Sequence, residues 1–293
     1  MNDMKLSEAA HLTRARCKIS GYGSMVDDSD IDIQPATITP DYAEAQAAGN
    51  NKKTLEFILP LVERQGAKTV LDVGCGIGVM VRTLVEKGYD AYGIDLRGLE
   101  TYWAKQDMPR ERLFIIDPRN TELPFEDETI DFAFTLGAIE HVGTSNGLSD
   151  RLPDYRQIRR RWLLEILRVV RVGGSLLVGG PNRNFPVDVA HGLDTRASRI
   201  ERKLSSIAGA SIHKTWGENF LWGYRDLRQY LDGYDYEVEP LGIGSYLGLS
   251  RVPKPIRRII QAYIDYLPRP MLGTGFNPWM IALIHKSMAF QVR

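Results

Sequence analysis

The sequence predicts an α/β fold, a doubly wound and mostly parallel sheet with an inserted lid after strand five. Three observations predict it. From residue 69 onward, short β-branched runs alternate with stretches of helical periodicity, and such alternation builds a parallel sheet flanked on both faces, with right-handed crossovers. The run "TIDFAFTLGAI" (129–139) is apolar almost throughout, as a strand covered on both faces should be. "LDVGCGIGVM" (71–80) closes a strand-like run with glycines at every second position, which lets the backbone bend sharply into a following helix.

The elements follow in order. Residues 1–40 are polar, carry the acidic cluster "DDSDID" at 27–32 and show little periodicity, so they read as an N-terminal extension or flap. Residues 41–293 read as one domain. Leu55, Ile58, Leu59 and Val62 fall at helical spacing before a stop at Gly66, which predicts an entry helix. "TVLDVG" is the first strand, "VMVRTLVEKG" its helix with Gly88 as the stop, and "DAYGIDL" the second strand. "GLETYWAKQ" suits a short helix, "RLFIID" (112–117) the third strand and 129–139 the fourth. The stretch 155–174 reads as a helix ended by Gly173 and Gly174, its arginines mostly outward, and "SLLVGG" as strand five. Regular rhythm then lapses over about 182–222, and a stretch of that length in a compact α/β domain is usually a lid or substrate cap. A helix at 223–233, a strand at 236–244, an amphipathic helix at 252–268 and a last strand at 278–286 complete the chain. The basic helix at 252–268 suits packing on its own domain, with peripheral contact to a membrane surface or a lipid-linked substrate as the alternative.

Composition excludes several classes. Across 293 residues Lys+Arg 37 balances Asp+Glu 37, so no general electrostatic pull favours nucleic acid. Two cysteines, Cys17 and Cys75, are too few for a disulfide framework or a zinc cluster. No run of about 18 apolar residues is present to span a membrane, and a cytoplasmic protein is expected. Oligomeric state is left open.

The glycine bend decides the ligand. Gly74 and Gly76 fit the first two places of the dinucleotide fingerprint G-x-G-x-x-G, but the third falls on Val79. Bare backbone amides at a helix start suit a carboxylate or a phosphate. Asp72, inside the strand end, favours a cation on the ligand and repels pyrophosphate. Asp95, 21 residues after Gly74, is placed to accept from both ribose hydroxyls. A ribose, a carboxylate and an ammonium together describe S-adenosylmethionine.

Four stretches, "VLDVGCGIG", "YGIDLR", "ELPFEDETIDFAFTLGAIEHV" and "LLEILRVVRVGGSLLVGGPNR", resemble in order and distance the motifs of class I S-adenosylmethionine-dependent methyltransferases. The resemblance covers roughly 50–182, with a weaker tail in "YRDLRQYL" and the final strand. It implies the Rossmann-like methyltransferase fold, seven strands with one antiparallel. By position it implies that Asp72, Gly74, Cys75, Gly76 and Gly78 hold the methionine part, and Asp95 with Leu96 the ribose. Asp117 would meet the adenine amino group, flanked by Pro118 and Arg119. Thr135, Leu136 and Gly137 would close over the methionine and open toward the substrate.

Methyl transfer from a sulfonium needs alignment and exclusion of water, and a base only where the nucleophile begins protonated. His141, in "AIEHVG" after strand four, is the first candidate base, since a pKa near ~6.5 suits proton uptake near neutrality. His191, in "FPVDVAHG", is the second. No metal is expected, because Glu140 and His141 alone do not make a site. Arg156, Arg159, Arg160 and Arg161 read as a solvated helix face or a clamp for an acidic acceptor, and Trp216, Phe220, Trp222 and Tyr224 as packing or an acceptor pocket. The expected activity is methylation of a small-molecule or glycan acceptor, most readily at oxygen. Its rivals are a non-catalytic cofactor-binding protein and a nicotinamide oxidoreductase.

Overall fold

A computed structural model describes residues 40–287 apart from 97–98, 106, 109, 117–121, 146–148 and 247–253. The extension expected over 1–40 lies, save for Pro40, outside the described residues, as do Asp117, Pro118 and Arg119. The chain enters through helix α1 (Pro40–Lys53), a π-helical stretch (Thr54–Ile58) and α2 (Leu59–Arg64). There follow β1 (Thr69–Val73), α3 (Val79–Glu86), β2 (Asp90–Asp95), α4 (Glu100–Lys105), β3 (Leu113–Ile115) and β4 (Ile130–Leu136). Next come α5 (Tyr155–Val169), β5 (Val170–Pro181), β6 (Val187–Asp188), α6 (Arg199–Ala208) and β7 (Ser211–Ile212). The chain ends through α7 (Tyr224–Tyr230), β8 (Tyr236–Pro240), α8 (Lys254–Asp265), α9 (Arg269–Leu272) and β9 (Trp279–Lys286).

Seven strands form one sheet in the order β3-β2-β1-β4-β5-β9-β8. β9 runs antiparallel to both β5 and β8, and the neighbouring pairs from β3 through β5 are parallel. The fold is therefore the seven-stranded, mostly parallel sheet that the sequence predicts. Order reverses between β1 and β4, and the carboxyl ends of the strands beside such a switch point form a ligand crevice.

Strand periodicity explains the layers. Leu71 and Val73 of β1, Ala133 of β4, Leu176 and Val178 of β5 and Met280, Ala282 and Ile284 of β9 pack on one face with Leu163, Ile166 and Leu167 of α5 and Leu227 of α7. Val70, Phe132, Phe134, Leu177, Ile281 and Leu283 face the other side, with Ile58, Val62, Leu84, Trp103 and Ile264. Successive side chains alternate between faces, and both faces are covered, which is why these strands are apolar at nearly every position.

Strand five begins earlier than the glycines suggested. α5 stops at Val169, and Val170 already pairs with Ile130 across an irregularity in register. Consecutive β-branched residues favour extended backbone, while Gly173 takes φ +75° and a Cβ on Gly174 would stand 2.6 Å from the carbonyl oxygen of Asp131. The glycines thus serve a bend within the strand.

Residues 182–222 are ordered by their own contacts. β6 and β7 pair antiparallel. Ser198 and Glu201 form a reciprocal capping box at the start of α6, and Gly209 ends that helix in the left-handed region. The stretch is tied to the loop after β4 by a buried ion pair, Arg151 Nη1 to Asp194 Oδ2 at 2.5 Å, and the same Asp194 oxygen accepts from the Phe220 amide at 3.1 Å. Among the described residues no helix is long and apolar enough to cross a membrane. α8 buries Ile264 in the core, leaving Ile259 71% exposed, so its inward face packs on its own domain.

Breaking the Arg151–Asp194 pair leaves a buried guanidinium without compensation, which is costly by ~3–5 kcal/mol. Asp194→Asn is therefore expected to lower the urea midpoint by that equivalent with an unchanged slope. A loss below ~1 kcal/mol would show that the pair does not anchor residues 182–222.

Candidate active site

The tips of β1, β2 and β4 converge on one concave region. Gly74, Gly76 and Gly78 all adopt left-handed backbone, with φ of +92°, +53° and +78°, a conformation in which side-chain-bearing residues are strained. The bend is fixed from beneath, since the amides of Gly74 and Cys75 both donate to the Ile94 carbonyl, at 2.8 and 3.0 Å. A Cβ on Gly74 would stand 2.7 Å from that of Ala138, so the bend also lies directly against the loop after β4. Gly78 caps α3, and the side chain of Cys75 is buried.

Two carboxylates frame the bend. Asp72 is 4% exposed and makes no hydrogen bond or ion pair among the described residues. Burial, with the negative charge of Asp95 added, pushes its carboxyl well above the usual range. Asp95 is also raised by burial, offset by the amides that it accepts: Gly76 N–H at 2.5 Å and Leu96 N–H at 2.7 Å, one on each oxygen. A carboxylate has about four acceptor positions, so each oxygen keeps one for a ligand hydroxyl. Such an arrangement suits a ligand that brings a cation to Asp72 and hydroxyls to Asp95.

At the end of β4, Thr135 is fully buried with its Oγ1 unpartnered, and Gly137 turns at φ +73° while its amide donates to the Gly179 carbonyl at 2.8 Å. Leu136 is partly buried against the core. The following loop is held by three successive carbonyls. Arg159 Nη2 donates to Glu140 O at 2.5 Å, Thr144 Oγ1 to His141 O at 2.6 Å and Arg159 Nε to Val142 O at 3.0 Å. Arg159, read from sequence as part of an outward basic face, is 1% exposed and acts as an internal brace. Arg156 stands 3.9 Å from Glu218, and Arg160 donates to the Asp232 carbonyl.

The fold brings His191 to this loop from 50 positions away. Its ring centroid lies 5.1 Å from that of His141, and Phe220 packs on both, at 6.5 Å from His141 and 5.9 Å from His191. His191 Nε2 is 3.5 Å from Glu140 Oε1, and its Nδ1 is 3.0 Å from Asp188 Oδ2. Asp188 is itself fixed, its other oxygen accepting the amides of Ala190 and His191. Glu140 is 0% exposed, and neither of its oxygens has a hydrogen-bond partner. Donor atoms of Glu140, His141 and His191 all lie within 4.8 Å of one another.

Of the aromatic group singled out in the sequence, only Phe220 faces the histidines. Trp222 and Tyr224 are core residues, Tyr224 Oη donating to the Ile281 carbonyl, and Trp216 is 74% exposed. Tyr246 was not foreseen. It is 3% exposed, and burial together with the charges of Glu140 and Asp72 pushes its hydroxyl far above the usual phenol range. Tyr246 is thus a neutral phenol in the field of both carboxylates. It packs on Phe57 and Trp279, and no motif marks it, because the elements that bring it there are remote in sequence.

Comparison with known proteins agrees with this geometry. A methyltransferase-domain family model matches residues 71–178, the span from the glycine bend to β5. A probable S-adenosylmethionine-dependent methyltransferase of Mycolicibacterium smegmatis is 25% identical over 167 residues, covering 54% of this chain and 57% of that protein. Glycine N-methyltransferase of Oryctolagus cuniculus is 27% identical over 49% of this chain and 54% of its own length. A ubiquinone biosynthesis O-methyltransferase of Vibrio atlanticus is 26% identical over 46% and 52%. The chain spans about half the length of the curated relatives it matches. The matched span lies where the sheet places its ligand crevice, so residues 71–178 carry a methyltransferase domain similar to those of S-adenosylmethionine-dependent methyltransferases.

Proposed function

We propose that this protein transfers the methyl group of S-adenosylmethionine to a hydroxyl oxygen of a small-molecule or glycan acceptor, releasing S-adenosylhomocysteine. One observation carries the choice of oxygen: the cluster of Glu140, His141 and His191 at the mouth of the cofactor crevice. A neutral amine needs no help in losing a proton, whereas an alcohol or phenol does. A relative named for O-methylation and another for N-methylation are about equally similar, so the choice rests on the chemistry of the cluster.

The cofactor supplies an activated methyl on a sulfonium. Asp72 receives its ammonium, the glycine bend at 74–78 its methionine part, and Asp95 with Leu96 its ribose. Cys75 and the alternate glycines leave room for the ligand to lie on main chain. Thr135, Leu136 and Gly137 flank the methionine, Asp117 with Pro118 and Arg119 serves the adenine, and residues 182–222 cover the acceptor. The cluster of Glu140, His141 and His191 promotes loss of the proton from the acceptor hydroxyl. Its loop is braced by Arg159, so the cluster is held in position before substrate arrives.

Incubation with cofactor labelled in the methyl group and hydroxyl-bearing acceptors is expected to place label in an ether. Label in an amine or on carbon would overturn the choice of oxygen. His141→Ala and His191→Ala are each expected to slow transfer about 10²–10⁴-fold while leaving S-adenosylhomocysteine affinity within about threefold.

Asp72 yields a test of the cofactor site. Its folded pKa is raised, so the buried charge costs stability above the unfolded value of ~3.9, and that cost grows as pH rises through the folded value. Asp72→Asn is expected to raise the melting temperature of the cofactor-free protein by about 2–4 °C at neutral pH, near ~1 kcal/mol. The gap should close as pH falls toward ~4, and calorimetry should show cofactor affinity reduced at least tenfold. A variant that binds normally would remove Asp72 from the ligand site.

A further inference from the structure

We propose that Glu140, His141 and His191 hold a divalent first-row transition ion, with Asp188 as the outer partner that orients His191. The inference rests on the methyltransferase function only for the ion's task, and not for its binding.

The first argument is an unmet demand. Glu140 is fully buried, both its oxygens lack hydrogen-bond donors, and it forms no ion pair with Lys or Arg among the described residues. A buried carboxylate in that state is costly unless a cation meets it. The neighbouring strand also leaves room around it. Position 180 is glycine, and a Cβ there would stand 2.9 Å from Glu140 Oε2 and 2.7 Å from Trp222 Nε1, itself a buried donor without a partner.

The second argument is the direction of the imidazole. Asp188 takes two backbone amides on one oxygen and faces His191 Nδ1 with the other, at 3.0 Å. An ionised carboxylate only accepts, so Nδ1 carries a proton, and Nε2 is the ring nitrogen that faces Glu140 Oε1, at 3.5 Å. A positive centre between the two atoms, a proton or a metal ion, satisfies both. A carboxylate behind a histidine is the usual outer partner of a metal-bound imidazole, fixing both tautomer and ring orientation.

The third argument is size and donor type. An ion held at ~2.0–2.2 Å by nitrogen and carboxylate oxygen sets neighbouring donors roughly 3–4 Å apart. The 3.5 Å separation of Nε2 and Oε1 fits that spacing, and His141 completes the set within 4.8 Å. Two imidazoles with one carboxylate favour zinc, cobalt, manganese or iron over magnesium or calcium, which seek oxygen. Three protein ligands leave positions open. An acceptor hydroxyl that enters one gives up its proton to solvent more readily, and its oxygen lone pair then forms the O–C bond while the S–C bonding pair stays on sulfur. Sequence alone offered the adjacent Glu140 and His141, and the fold supplies the third ligand.

The test uses the full chain, stripped with chelator and titrated with Co²⁺ and separately with Mn²⁺. Cobalt absorption and the loss of free manganese signal in electron paramagnetic resonance are expected to report one equivalent of each ion. His191→Ala and His141→Ala should abolish binding, and Asp188→Asn should weaken it about 10–100-fold. S-adenosylhomocysteine calorimetry on each variant shows whether it has folded. If His191→Ala does not fold, the Asp188→Asn and His141→Ala arms decide. No binding of either ion to the wild-type chain, or binding that these variants leave unchanged, overturns the proposal. Methyl transfer to oxygen that persists in chelator would overturn the ion's task and leave the methyltransferase function standing.

Discussion

Buried negative charge at one end of the sheet is the constraint around which this molecule is arranged. Asp72 and Glu140 are almost wholly enclosed, and Asp95 is pushed up in pKa by its own burial. Lys and Arg side chains elsewhere are drawn into other work: Arg159 braces loop carbonyls, Arg151 pairs with Asp194, and Lys286 donates to the carbonyls of Leu167 and Val170. A fold under pressure only for stability would neutralise such acids. Neither Asp72 nor Glu140 forms an ion pair with Lys or Arg among the described residues, so much of the cost of burying them falls on the empty protein.

The same arrangement separates two kinds of acid at two strand tips. The acids of β1 and β2 stand beside a bend of left-handed backbone whose glycines carry no side chain, with the amides of Gly74, Cys75, Gly76 and Gly78 taken by acceptors within the protein. Two acids at that bend disfavour a diphosphate. Glu140 follows β4 and stands with two imidazoles, which bring proton or metal chemistry rather than cofactor recognition. The glycine bend and the loop that carries Glu140 therefore touch, at Gly74 and Ala138.

Most of the sheet was legible because covered parallel strands are apolar at consecutive positions and end in glycine or acid. Asp72, Asp95 and His141 were singled out by their places relative to those ends. Arg159 was misread because helical periodicity assigns a charged residue to solvent, whereas a guanidinium with two carbonyls to satisfy can be buried. The early start of β5 was hidden by the glycines at 173 and 174, which look like a helix stop and instead permit a bend. Residues 182–222 looked irregular because their order comes from β6 and β7, two-residue strands, and a helix whose Ser198–Glu201 cap was the one local sign.

What no local pattern contains is the meeting of residues from different connections. His191 joins Glu140 because Asp188 orients its ring, Ser211 Oγ donates to its carbonyl at 2.7 Å, and Asp194 ties the same stretch to Arg151. Each of these contacts is made by residues remote in sequence from the glycine bend. Together they fix one imidazole against one buried carboxylate. Positioning at the candidate site is thus distributed: the sheet sets the glycine bend and its acids, while polar contacts in the 182–222 stretch set how His191 faces Glu140. Relatives that share the sheet and differ in this stretch would be free to change acceptor without changing cofactor. That freedom accords with a domain whose relatives here carry names for both nitrogen and oxygen methylation.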